Sequence, residues 1–156
     1  MTTRKMAIIA SKGTLDMAYP PFILAATAAA MGYEVQIFFT FYGLQLLRKD
    51  LSDVKISPLG NPAMPMPIPM PVMMQMLPGM ETVATTMMKT KLKEKGVASL
   101  EELRDLCLEA DVKFIACQMT VDLFEFQSSD FIDNVEYGGA AALLGFTGEN
   151  GICLFV

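Results

Sequence analysis

Residues 5–40 read KMAIIASKGTLDMAYPPFILAATAAAMGYEVQIFFT. The two apolar runs at residues 5–10 and 35–40 are rich in isoleucine, valine and phenylalanine, which is typical of buried strands. The Ala-rich, uncharged residues 17–31 between them favour a helix, and Gly32 is a natural stop for it. A strand, a helix and a second strand in this order predict two parallel strands joined by a right-handed crossover.

The rest of the chain continues this alternation of strands and helices. We predict helices over residues 42–49, 82–95, 100–110 and 137–145, and strands over residues 112–116 and 152–156. Residues 118–126 are expected to form a short helix or a turn, and residues 134–136 a small strand or the lead into a helix. The fold class is therefore α/β, a flavodoxin-like open parallel sheet of about four to five strands with helices on both faces. We expect a single domain over residues 1–156, interrupted by a Met/Pro-rich insertion at 57–80.

Two local signals refine the helix boundaries. We expect Asp16 to cap the first helix, and Pro20 and Pro21 to lie in its first turn. Ser99 and Glu102 have the spacing of a capping box at the start of the helix over residues 100–110.

The composition excludes several classes of protein. Of the 156 residues, 53% are hydrophobic and 19% are charged, which is the opposite of a disordered chain. The net charge of −5 gives no basic surface for nucleic acid. The chain contains no histidine, so Ser-His-Asp and Cys-His catalysis and histidine-based metal sites are excluded.

We predict no stable membrane insertion and a cytoplasmic location. The N-terminal apolar run is too short for a signal peptide and runs into Lys12. Residues 56–80 carry no charge, but seven of them are proline, which would break a spanning helix. The three cysteines have no close pairing, so a disulfide framework is not expected.

Cys117 is the strongest candidate for chemistry. It follows a predicted strand, which places it at the carboxyl edge of the sheet, and it precedes a predicted helix. Backbone N–H groups at a helix N-terminus lower the pKa of a thiol and stabilise a thiolate, although most free cysteines are simply small buried residues. Cys107 and Cys153 fit apolar positions of a helix and a strand, so we expect both in the core.

The loop over residues 11–14 (Ser-Lys-Gly-Thr) follows the first strand. Backbone N–H groups of Gly13 and Thr14, with the Lys12 ammonium, could hold an anion there; an ordinary turn explains the sequence equally well. It lacks the glycine spacing of a Walker loop. Asp122 and Glu125 could act as acid or base for a sulfur substrate, although solvated surface carboxylates explain them more simply.

Residues 61–80 contain seven methionines and six prolines. Alternating prolines favour an extended chain along which apolar side chains project. Three interpretations remain open: a thioether site for a soft metal such as Cu(I), a surface for self-association or a partner, and a loop packed on its own domain. We favour the association surface.

Four segments resemble the DsrE/DsrF-like family, in a sulfurtransferase and sulfur-carrier branch sometimes labelled peroxiredoxin family protein. They read SKGTLD (11–16), SPLGNP (57–62), ACQMTVDL (116–123) and YGGA (137–140), and the resemblance covers essentially the whole chain. It implies a cytoplasmic, flavodoxin-like homo-oligomer that carries sulfur as a cysteine persulfide between partners. The carrier cysteine of the family falls on Cys117. Peroxide reduction needs a threonine or serine and an arginine assembled around the reacting cysteine, and no such motif is evident in the sequence.

The sequence hypothesis is therefore a sulfur carrier or sulfurtransferase in a sulfur relay. Cys117 holds sulfane sulfur as a persulfide, received from a donor persulfide and passed to a partner thiol. We predict substrate contacts from residues that follow two of the strands, with no cofactor and no metal: Lys12, Gly13, Thr14, Gln118, Met119 and Thr120. The alternatives are a non-catalytic oligomeric scaffold and a protein that binds a small ligand or nucleotide at the sheet edge.

Overall fold

The structure is a computed structural model that describes residues 3–57, 73 and 76–156. Its strands are β1 (Lys5–Ala10), β2 (Glu34–Phe39), β3 (Lys113–Cys117), β4 (Val135–Gly138) and β5 (Ile152–Phe155). Its α-helices are α1 (Leu15–Ala30), α2 (Met80–Glu94), α3 (Leu100–Glu109), α4 (Gln118–Leu123) and α5 (Ala140–Thr147). Two 3₁₀ helices cover Phe41–Leu47 and Ser128–Asp130.

The five strands form one all-parallel sheet in the order β4-β3-β2-β1-β5. The predicted α/β class, with a flavodoxin-like parallel sheet, is confirmed. Because parallel strands end at the same edge, the loops after β1, β2 and β3 lie side by side. The order also leaves β4 and β5 at the two edges of the sheet.

Helices cover both faces of the sheet, but unequally. On one face α1 and α3 pack over a core that contains Phe22, Phe39 and Phe114, whose ring centroids lie 5.3–6.0 Å apart. On the other face α5 contributes Leu143 to a smaller cluster that includes Phe38. Residues of the three central strands β1, β2 and β3 therefore alternate between the larger and the smaller apolar layer.

The start of α1 differs from the expectation. Thr14 takes the N-cap position without a side-chain cap bond, and the Leu15 N–H is bonded instead to the Lys55 carbonyl. The helix thus begins before Asp16, so Asp16 as the cap is wrong. Pro20 and Pro21 lie inside the helix, beyond its first turn. Gly32, with φ of 81°, follows the end of the helix as expected.

Two further boundaries were predicted incorrectly. The segment expected as a helix from residue 42 is a 3₁₀ helix from Phe41, which has a left-handed φ of 46°. Tyr137 and Gly138, expected in a helix, belong to β4 because they pair with Ala116 and Cys117 of β3. The capping box at the start of α3 is confirmed, with both of its hydrogen bonds formed.

Most of the Met/Pro segment at 57–80 lies outside the described residues, so its three interpretations stay open. Across residues 3–57, 73 and 76–156, no helix is both long enough and apolar enough to cross a membrane.

Candidate functional site

Cys117 is the last residue of β3 and the N-cap of α4. The strand places it at the carboxyl edge of the sheet, as predicted, and its side chain belongs to the smaller apolar layer beneath α5. Only 6% of the residue is exposed. A thiol in this position is held rigidly by the strand and faces the first N–H groups of the helix.

Hydrogen-bonding groups surround the Cys117 sulfur. Burial raises the pKa of this thiol, but hydrogen bonding from the Thr120 hydroxyl and N–H, the Thr40 hydroxyl and the Met119 N–H lowers it more. The net pKa lies below the ordinary thiol value. Since the thiolate is the nucleophilic form of cysteine, these groups favour the reactive state.

Thr40 is the site residue that the sequence analysis missed. It follows β2, the strand next to β3, and its Oγ1 lies 3.3 Å from Oγ1 of Thr120. A polar residue directly after the neighbouring strand was the available signal, because the carboxyl ends of adjacent parallel strands meet. Thr120 was predicted to contact substrate because it closely follows Cys117 in the sequence. In the structure, Thr40 and Thr120 both lie beside the Cys117 sulfur.

An aromatic cluster lies beside the site. Phe41 contacts Phe124 edge to face, with centroids 6.3 Å apart, and Tyr42 stacks on the same ring at 6.0 Å. All three side chains are exposed in part. The left-handed backbone at Phe41 costs on the order of 1–3 kcal/mol and persists only where neighbouring contacts hold it.

The loop after β1 packs against the turn at Tyr42. A Cβ built on Gly13 would lie 2.3 Å from the Tyr42 carbonyl oxygen, so the close approach requires glycine. Lys12, Gly13 and Thr14 border an open cavity of about 530 Å³ that Met17, Gln45 and Ser57 also line. Two strand spacings, about 10 Å, separate β1 from β3. The loop therefore shares the sheet edge with Cys117 but forms a neighbouring cavity.

The remaining candidates near Cys117 differ in exposure. Gln118 and Met119 are exposed in the first turn of α4, and the Gln118 side-chain amide donates to the Asp122 carboxylate at 2.8 Å. Glu125 has a left-handed φ of 55° just after the helix. No third acidic or cysteine side chain joins Asp122 and Glu125 in a metal-binding group among the described residues.

Comparison with known proteins places the chain in a family. It matches the DsrE/DsrF/DrsH-like family over residues 2–155. The chain belongs to this family. It is 63% identical over 160 residues to the sulfur carrier protein DsrE2 of Allochromatium vinosum, with full coverage of both chains. It is also 32% identical over 158 residues to the uncharacterized protein YrkE of Bacillus subtilis, covering 99% of this chain and 98% of that one.

This member of the DsrE/DsrF/DrsH-like family carries three free cysteines in different settings. Cys107 is fully buried on α3, and its Sγ donates to the Phe22 carbonyl at 3.3 Å. Burial raises the pKa of this thiol to about 12. Cys107 was expected in the core and lies there, on the opposite face of the sheet from Cys117.

Cys153 is exposed, so its predicted core position is wrong. It lies on β5, an edge strand, and pairs with Ala7 on the face that α5 covers only in part. The sequence of a strand does not show whether a further strand or a helix covers it, and this decides whether its side chains are buried. From the spacing and rise of parallel strands, the Cα atoms of Cys153 and Cys117 are on the order of 20 Å apart.

Proposed function

We propose that this protein is a sulfur carrier whose carrier atom is the sulfur of Cys117. The observation that carries the proposal is the place of Cys117 at the end of β3 and the N-cap of α4, where neighbouring hydrogen-bonding groups lower its pKa. The 63% identity to a protein named as a sulfur carrier supports the same function. A thiolate held among donors, with no imidazole in the chain, is suited to thiol exchange.

The transfer consists of two balanced exchange steps. The Cys117 thiolate attacks the outer sulfur of a donor persulfide, a new S–S bond forms, and the donor leaves as a thiolate. Cys117 then holds the sulfur as Cys–S–SH. An acceptor thiolate attacks that outer sulfur, takes it as its own persulfide and releases the Cys117 thiolate. No external oxidant or reductant is consumed.

The acceptor in this scheme is a thiol of another molecule. Cys107 lies beyond the sheet, and Cys153 is on the order of 20 Å away by strand geometry. Sulfur donors and acceptors are therefore proteins or low-molecular-weight persulfides and thiols. We place the protein in the cytoplasm, where reducing conditions keep such thiols free.

We also propose that the protein is a homo-oligomer that associates through β5. This edge strand reads Ile-Cys-Leu-Phe, without the charge or proline that natural proteins use to protect an edge. Phe155 is 72% exposed and Leu144 on the adjacent α5 is 67% exposed. A second copy paired through the same strand would cover these side chains.

The carrier function is tested by incubating the protein with a low-molecular-weight persulfide donor and weighing it intact. We expect wild type to gain about 32 Da, one sulfur atom, that reducing agent removes. Cys117→Ser should gain no adduct that it can pass on to an added acceptor thiol. Cys107→Ser and Cys153→Ser are the matched controls and should still deliver sulfur.

Wild type that gains no labile sulfur would contradict the carrier function. So would a Cys117→Ser variant that delivers sulfur to the acceptor as well as wild type does. Either result would favour the alternative function, a non-catalytic oligomeric scaffold. The exposed apolar side chains of α5 and β5 would then serve only for self-association.

A further inference from the structure

Thr120 is a fully buried polar residue where the turn after β2 meets the beginning of α4. It is 0% exposed, on the first turn of α4, three residues after Cys117. Its Oγ1 accepts a hydrogen bond from the Phe41 N–H at 3.3 Å and lies 3.3 Å from Oγ1 of Thr40. Because its hydrogen-bond partners follow β2, this buried hydroxyl links the end of that strand to α4 in addition to packing in the interior.

The hydroxyls of Thr40 and Thr120 together leave one hydrogen for the Cys117 sulfur. Thr40 and Thr120 each carry one hydroxyl hydrogen, and one of the two is used between the two hydroxyls. The Phe41 N–H donates to Thr120 and uses no hydroxyl hydrogen, so one of the two hydroxyl hydrogens is left for another acceptor. The Cys117 sulfur is the neighbouring acceptor for that one hydrogen, because the hydroxyls of both threonines act on this thiol to lower its pKa.

The same hydroxyl also holds a strained turn. Phe41 adopts a left-handed φ of 46°, unusual for an aromatic residue, and its N–H is satisfied by Thr120. The backbone of Thr40 holds the same turn from its other side: its N–H donates to the Ala10 carbonyl, and its carbonyl accepts from the Gly43 N–H. Thr120 thus joins the turn after β2 to the beginning of α4.

We propose that Thr120 is a positioning residue for Cys117. Its hydroxyl ties the turn at Phe41 to α4, and this tie orients the pair of threonine hydroxyls so that their remaining hydrogen is directed at the sulfur. The inference rests on the proposed function in taking Cys117 as the reacting sulfur. Thr120 takes no part in bond making; it sets the hydrogen bonds that the thiolate receives.

The test measures the rate of Cys117 alkylation by iodoacetamide as a function of pH, in a Cys153→Ser background that removes the exposed second thiol. Thr120→Val removes the hydroxyl at nearly constant volume. We expect its alkylation rate at pH 7 to fall about tenfold, the loss typical of one hydrogen bond to a charged group. At high pH, where the thiol of both proteins is ionised, the rates should converge.

Two control variants distinguish a loss of the Thr120 hydroxyl from a general loss of stability. Thr120→Ser keeps the hydroxyl and should restore the rate profile. Thr147→Val removes another buried threonine hydroxyl, bonded within α5 to the Leu143 carbonyl, and should leave the profile unchanged. If Thr120→Val does not fold, Thr40→Val replaces it, with a severalfold fall expected at pH 7.

An unchanged pH profile in Thr120→Val, or in Thr40→Val where that variant is used, would overturn the inference. A fall that persists equally at high pH would also overturn it, because it would indicate blocked access. The profile is measured without any persulfide, so it is independent of the carrier function. A protein that delivers sulfur but shows no effect of Thr120 would refute only the positioning role.

Discussion

The three cysteines of this chain differ in chemistry because their surroundings differ. Cys107 sits in an apolar core where burial holds its pKa near 12, so it is protonated at neutral pH. The donors around Cys117 outweigh its own burial and lower its pKa. Cys153 has an exposed position on an edge strand. Residue type alone thus predicts little about thiol reactivity.

Alkylation of the folded protein should follow these differences. Iodoacetamide at pH 7.5 is expected to modify Cys117 and Cys153 and to leave Cys107 unmodified, because its thiolate is scarce and buried. Peptide mapping by mass spectrometry would measure the modification at each site, and unfolding in guanidinium provides the control in which all three react. Modification of Cys107 in the native protein at the rate of Cys153 would contradict the structure.

At the scale of elements, the loop after β1 and the turn after β2 pack so closely that glycine is required at their contact points. A Cβ on Gly43 would lie 2.1 Å from the Ala10 carbonyl oxygen, a contact that real Cβ atoms do not make. Gly13 has the equivalent close approach to Tyr42. These contacts bring the end of β1 against the turn that carries Thr40 and Phe41.

Gly43→Ala is therefore expected to be destabilising by about 2–4 kcal/mol, since backbone must move to admit the methyl group. Urea unfolding followed by circular dichroism would measure the change. Gly145→Ala is the matched control: Gly145 lies inside α5 with open space at its Cβ, so alanine should be neutral or stabilising by up to about 1 kcal/mol. Equal stability of the two variants would refute the packing described for Gly43.

The sequence predicts the elements whose signals are local. The apolar runs of β1 and β2, the Ser99 capping box and the place of Cys117 at a strand end all follow from residue type and spacing. The left-handed turn at Phe41 does not, because it depends on Thr120, a residue 79 positions away. Cys153 was misplaced because burial of a strand depends on which neighbours the sheet provides.

At the scale of the whole molecule, the sheet has a well-covered face and a partly covered one. The larger core lies under α1 and α3, while the smaller layer under α5 ends at the exposed edge strand β5. The apolar excess of the composition is therefore found partly on the surface, including Leu144 and Phe155. A surface of this kind favours association.

Phe155→Lys is expected to weaken self-association, because a lysine on an edge strand opposes strand pairing. Sedimentation velocity over a range of protein concentrations would show a shift toward the monomer. Tyr137→Lys changes a partly exposed side chain on β4, the opposite edge, and should leave the assembly intact. A wild-type protein that is monomeric throughout, or a Tyr137→Lys variant that dissociates equally, would exclude association through β5.

The position of the sheet between Cys107 and Cys117 has a consequence for oxidative damage. A sulfenic acid formed on Cys117 by peroxide cannot condense with Cys107 across the sheet, nor with a residue as distant as Cys153, since a disulfide needs Cα atoms within about 7 Å. The chain thus lacks an internal route to a protective disulfide. Unless a thiol from another molecule intervenes, a second oxidation leads to the sulfinic acid, which ordinary thiols do not reverse.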